Sequence, residues 1–196
     1  MANFRAINTA CEAVILLLRQ SWQPALFNDT PLNFEVYQTS NFERPMTNGV
    51  SLFLYQVSIN RVQRTIPVPP DPVNGRKRHP QLPLDLQFML TPWGQDSSME
   101  QEILGWMMRV LEDNPILPAG ILNAAGGAGF TDNETIEIAG GTMSTEEMFH
   151  IWEVLPCTFR ISVSYIARVV RIDSNLEEGG VVVVTRDLRF GNGDRP

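Results

Sequence analysis

The sequence predicts an α+β fold: a mixed, largely antiparallel sheet packed with about three helices. It also predicts a long basic, proline-rich loop and a projecting C-terminal hairpin. Three observations carry this. Two strand-like runs, VSLFLYQVSIN (50–60) and LPLDLQFMLTPW (82–93), flank the twenty-residue insert RVQRTIPVPPDPVNGRKRHP. A helical run, MEQEILGWMMRVLEDNPIL, follows directly. Near the C-terminus the sixteen-residue run CTFRISVSYIARVVRI alternates apolar and polar residues up to Tyr165, the period of a half-buried strand.

The elements follow in order. Phe4, Ile7, Cys11, Val14 and Leu18 recur at helical spacing, so 3–20 reads as a helix. Ile15, Leu16 and Leu17 widen its stripe, which predicts deep burial, and Pro24 ends it. LNFEVYQ (32–38) reads as a strand after the turn signal Asn28-Asp29. The 50–59 run is apolar on both faces, with Phe53, Tyr55, Val57 and Ile59 on one side and Val50, Leu52 and Leu54 on the other. That is how an interior strand covered on two sides reads. Leu82, Leu84, Leu86, Phe88 and Leu90 alternate with Asp85, Gln87 and Thr91. The two runs are expected to pair as an antiparallel hairpin whose overlong loop is the basic insert.

Ser97 and Ser98, followed by Glu100 and Gln101, give a capping-box signature for the second helix. Its stripe is Met99, Ile103, Trp106, Met107 and Val110, stopped by Pro115. Residues 118–133, rich in Gly and Ala without a period, read as a mobile loop, and ETIEIA (134–139) as a short strand. Ser144 and Glu147 form a second capping box for a helix through Met148, Ile151, Trp152 and Leu155. In 157–172, Phe159, Ile161, Val163 and Tyr165 are expected inward. From Ile166 the alternation blurs. Sixteen strand residues reach roughly 50 Å, against roughly 40 Å for a compact domain of this size. The strand must therefore bend, bulge or project. GGVVVVTRDLRF (179–190) is expected to return beside it as a hairpin over 157–190.

At 196 residues the chain reads as a single domain, 1–196. Its net charge of −7 is uneven. The insert holds five of fifteen Lys+Arg and one acid, a balance of +4, leaving −11 elsewhere. Such asymmetry points to charge-complementary contact, another copy of the chain included. Cys11 and Cys157 are expected as buried free thiols. The apolar run AVILLL is too short to span a membrane and lacks signal-peptide flanks. Assembly in the cytoplasm, without a membrane, is the expectation.

The sequence assigns no catalytic, cofactor or metal residues. His79 and His150 lack a ligand partner at metal-binding spacing. AAGGAGF lacks the Lys-Ser/Thr of a phosphate loop. Nucleic acid is disfavoured, because the short RKRH cluster has no interleaved aromatics and the body is acidic. Trp93, Trp106 and Trp152 fit core positions. The candidate contact residues are Arg61, Arg64, Arg76, Lys77 and Arg78 in the arm (61–80), and Ile166, Val170, Ile172, Val182 and Val184 in the hairpin.

Several residues, in order, carry a resemblance. These are Tyr55, Val57 and Asn60; Leu82, Pro83, Leu84, Leu90 and Thr91; Leu104, Gly105, Leu111, Pro115 and Leu117; and Trp152, Ser162 and Tyr165. Their order and spacing resemble the tail-terminator, or cap, proteins of phage-tail-like contractile injection systems of the virulence-cassette and antifeeding-prophage type. The resemblance covers about 50–172. It implies a non-catalytic subunit of a ring, expected to be a homohexamer, that ends the inner tube and holds the last sheath layer. The implied partners are further copies of itself and the sheath and inner-tube proteins. The implied destination is a released or cell-associated particle. The alternatives are another tube, sheath or baseplate adaptor, or a non-catalytic binding module that uses the basic arm.

Overall fold

The computed structural model describes residues 2–27, 29–65, 77–174 and 176–178. A six-stranded sheet forms the middle layer. Its strands are β1 (Asn33–Tyr37), β2 (Gly49–Ile59), β4 (Leu82–Trp93), β5 (Ile116–Pro118), β6 (Thr135–Gly140) and β7 (Val163–Ile172). β3 (Lys77–Arg78) and β8 (Glu177–Glu178) pair separately as a two-stranded ladder. The sheet order is β1-β2-β4-β7-β6-β5. Only β1 and β2 run parallel, and the other neighbours are antiparallel. The mixed, largely antiparallel sheet is as predicted, and the two runs around the insert pair directly, Leu52 opposite Leu90.

Four helices pack on this sheet: α1 (Ala6–Ser21), α2 (Ser97–Asp113), α3 (Ala119–Ala125) and α4 (Thr145–Val154). α1 to α3 cover one face, where α1 buries Cys11, Val14, Ile15 and Leu18, and α2 buries Ile103, Met107 and Leu111. α4 and a 3-10 turn at Thr39–Glu43 cover the other face, around Phe42, Met89, Trp93 and Trp152. Phe88 and Leu90 thus pack one core while Met89 and Trp93 pack the second, which is the alternation of a strand covered on both sides.

The structure corrects several expectations. α1 begins at Ala6, and Phe4 is 74% exposed, outside the stripe. Asp96, not a serine, caps α2, its Oδ1 accepting the Met99 N–H at 2.9 Å. The Gly/Ala stretch 118–133 is ordered. It forms α3 and buries Leu122, Ala128 and Phe130. Small residues let α3 lie close to α1, and a Cβ at Gly126 would meet Thr9 Oγ1 at 2.7 Å. Cys157 is only half-buried, whereas Cys11 is fully inside.

Two register shifts decide which side chains face where. In β2 the pairing with β4 shifts between Leu54 and Gln56. The extra residue, Tyr55, returns Val57 and Ile59 to the face of Leu54, opposite Leu86 and Leu84. They therefore leave the Phe53 face to which strict alternation assigns them. In β7, Arg168 and Val169 together oppose Asp85. This bulge, and departure from the sheet before Val163, resolve the length problem posed by the sixteen-residue run.

β7 lies between β4 and β6, with both edges bonded. Ile166 and Val170 are buried within the subunit. They are core residues, not a projecting contact surface, because an interior strand is covered on both faces. Ile172 is half-buried against the helical core. The returning run 179–190, with Val182 and Val184, lies outside the described residues.

Candidate functional site

The arm leaves the sheet at one end of the β2–β4 hairpin, and Asn60 is the fixing point. Its Oδ1 accepts the Gln63 N–H at 3.0 Å, starting a 3-10 turn at Gln63–Thr65. Its Nδ2 donates to both carboxylate oxygens of Asp85 at 3.2 and 3.1 Å, and its backbone N–H donates to the Pro83 carbonyl. An Asx-type turn is thereby tied across the hairpin. Arg171 Nη2 donates to Gln63 Oε1 at 3.4 Å, and Gln81 Nε2 to Asp173 Oδ1 at 2.8 Å. The end of β7 is thus tied to both ends of the arm.

This rim mixes cationic and apolar surface. Arg61, Arg64 and Arg171 are exposed. Val57, Ile59 and Leu82 are each about two-fifths exposed, and Leu176 is more open still. Exposed arginine interleaved with aliphatic side chains is the composition of a protein-contact surface. Lys77 and Arg78 lie in β3, in register with Glu178 and Glu177 of β8. Arg76 lies outside the described residues. The structure therefore gathers Arg61 and Arg64 at the arm's exit, and places Lys77 and Arg78 on its return.

Sequence reading missed the apolar half of this rim. Val57 and Ile59 look like buried strand positions until the β2 bulge turns them, and a bulge leaves no mark in hydrophobic period. It also missed the polar links through the sheet. Tyr55 OH lies 3.0 Å from Ser164 Oγ and 3.3 Å from Gln87 Oε1. Thr91 Oγ1 meets Ser162 Oγ at 2.9 Å, and Trp93 Nε1 donates to Ser51 Oγ at 2.8 Å. Burial holds the Tyr55 phenol above its ordinary pKa, opposed by the Ser164 bond and reinforced by the Glu147 carboxylate. Burial, with Glu12 adding to it, pushes the Cys11 thiol up to about 12. These links bridge β2, β4 and the β7 region, so Tyr55, Asn60, Thr91 and Ser162 act as tertiary ties.

Among the described residues no group of three His, Cys, Asp or Glu side chains is placed to hold a metal. No described helix is long and apolar enough to cross a membrane. His150 stands 3.1 Å from Glu153 and 3.8 Å from Glu146 on the exposed side of α4, as helical neighbours do.

The family model described as the Pvc16 N-terminal domain matches residues 9–186. Two solved structures share the fold at 14% identity. One is the PVC sheath/tube terminator of an extracellular contractile injection system in its extended state, with a TM-score of 0.62 over 96% of this chain and 65% of that chain. The other is the anti-feeding prophage cap, described as a tube-terminating cap, with a TM-score of 0.64 over 91% and 59%. This chain thus spans about three-fifths to two-thirds of the length of those proteins. No curated protein matches it in sequence.

Proposed function

The chain belongs to the Pvc16 N-terminal domain family, and on that premise we propose that it is a structural, non-catalytic terminator of a contractile injection particle. Copies close into a ring, a homohexamer, at the end of the inner tube and the last sheath layer. The particle is assembled in the producing cell before release. One observation carries this reading: nearly the whole chain, 96% and 91%, superposes on two proteins that terminate such tubes. The arm rim is consistent with a heterologous contact that closes a ring. Arg61, Arg64 and the Val57–Ile59–Leu82 surface lie at one end of the subunit, where a neighbour's acidic surface complements them.

The test is co-expression with the sheath and tube proteins of the same particle, followed by negative-stain imaging. Six-fold rings at one end of tubes of limited length are expected. Removing 62–79 should leave the subunit folded, with a cooperative thermal transition, and abolish the rings. Normal tube ends without this chain would overturn the reading.

A further inference from the structure

α4 carries a second unpartnered surface, on the face of the sheet opposite α1. Phe149 and Phe159 pack ring against ring at 5.0 Å yet are each about half exposed. Beside them runs an open groove of about 340 Å³, lined by Met143, Met148, Ile161 and Ser162 as well as the two rings. Glu146, Glu147 and Glu153 are exposed on the same helix, α4, with Glu147 in the adjoining pocket beside Tyr55 and Gln87. α4 itself contains no Lys or Arg.

We propose that this groove receives the arm of a second copy of the chain. An aromatic-walled groove beside an acidic helix fits a proline-rich segment flanked by positive charge, because prolines present an extended ridge at little entropic cost. The chain contains one such segment: Pro67, Pro69, Pro70 and Pro72 precede Arg76, Lys77 and Arg78. The prolines would lie across Phe149 and Phe159, and the basic run would face Glu146, Glu147 and Glu153.

Geometry selects another copy over the same one. The groove meets the sheet at Val163 and Ser164, the start of β7, which pairs with Leu90 and Met89 of β4. The arm is held at the far end of β4, by Asn60 at its exit and by β3 pairing with β8 on its return. Leu82 and Leu90 are about 26 Å apart along the strand. Eleven residues separate Thr65 from Lys77, and a loop held at both ends extends no more than about 20 Å from them. Lys77 is held in β3 against β8, beyond Leu82, whereas α4 faces β4 from Gln87 onward. This inference rests on the ring reading and supplies that ring's contact.

The chain's single lysine is Lys77, which makes the test selective. Equal amounts of ¹⁵N-labelled and unlabelled full-length protein are mixed, treated with a zero-length carbodiimide cross-linker, and analysed by mass spectrometry. Light scattering on the same sample gives the assembly mass. The expected result is heavy–light linkage of Lys77 to Glu146, Glu147 or Glu153. In a Phe149→Ser/Phe159→Ser variant the yield should fall at least about fivefold, as for loss of aromatic anchors, while thermal unfolding of the subunit persists. Beyond the Lys77–Glu178 link within one copy that the β3–β8 pairing itself supplies, a lack of heavy–light linkage, heavy–light linkage to carboxylates elsewhere, or a heavy–light yield indifferent to the two phenylalanines would each overturn the docking. A multimer showing any of these refutes the docking and leaves the terminator reading standing. A monomer at all concentrations refutes both.

Discussion

Phe42→Ala is the sharpest test of how α4 is seated. Phe42 is fully buried, and its ring meets those of Tyr37 at 5.2 Å, Phe53 at 5.5 Å and Trp152 at 5.7 Å, all edge-on. Trp93 lies at 6.2 Å. Trp152 is the one α4 residue buried in this cluster, and its edge-on contact with Phe42 is one link between α4 and the sheet. Truncating a buried phenylalanine costs about 3–5 kcal/mol, and edge-to-face pairs add to the loss. For a chain of this size each kcal/mol lowers Tm by about 2–4 °C, so a fall of about 6–20 °C is expected. Urea unfolding followed by tryptophan fluorescence reads the change directly, because Trp93 and Trp152 belong to the cluster. Exposed Phe149→Ala serves as the control and should move Tm by less than about 2 °C. A Phe42→Ala loss below about 1.5 kcal/mol would show that the cluster does not hold α4, and the seating argument would fall with it.

Three further outcomes are expected. Gly49 has φ +146°, and a Cβ there would lie 2.0 Å from the Asn33 backbone oxygen, so Gly49→Ala should break the start of the β1–β2 pairing. A loss of more than about 2 kcal/mol is expected, and hydrogen exchange localised to β1 is the readout. In the native protein Cys157 should react with a thiol reagent well before Cys11, whose thiol is buried and pushed up to about 12. Equal rates would contradict the burial of α1. Glu147 is held below its ordinary pKa by the Ser144 backbone N–H and then by the Ser144 side chain. Its contribution to α4 is therefore present above the ordinary glutamate range and is lost as pH falls through the lowered value. Glu147→Gln should remove that acid limb from the helicity of α4, and an unchanged pH profile would count against the capping box.

Local pattern in the sequence predicted what depends on near neighbours along the chain. Helical spacing marked α1 and α2, Ser144 and Glu147 announced the α4 cap, and two apolar runs around a proline-rich insert announced the β2–β4 hairpin. The excess positive charge of the arm was likewise readable by counting. α3 escaped because Gly and Ala leave no hydrophobic period, although small residues are what close approach to α1 requires. Ile166 and Val170 looked like the surface of a projecting strand, yet they fill the core because β6 and β4 take both edges of β7.

The sequence by itself thus determined the elements, their amphipathic faces and the basic arm, since each follows from residue type and spacing. Only the tertiary structure decided the strand order, the bulge that moves Val57 and Ile59 to the Leu54 face, and the aromatic groove on α4 at the end of the sheet away from the arm. Those depend on which strands pair and in what register, and pairing is settled by contacts between residues far apart in the chain.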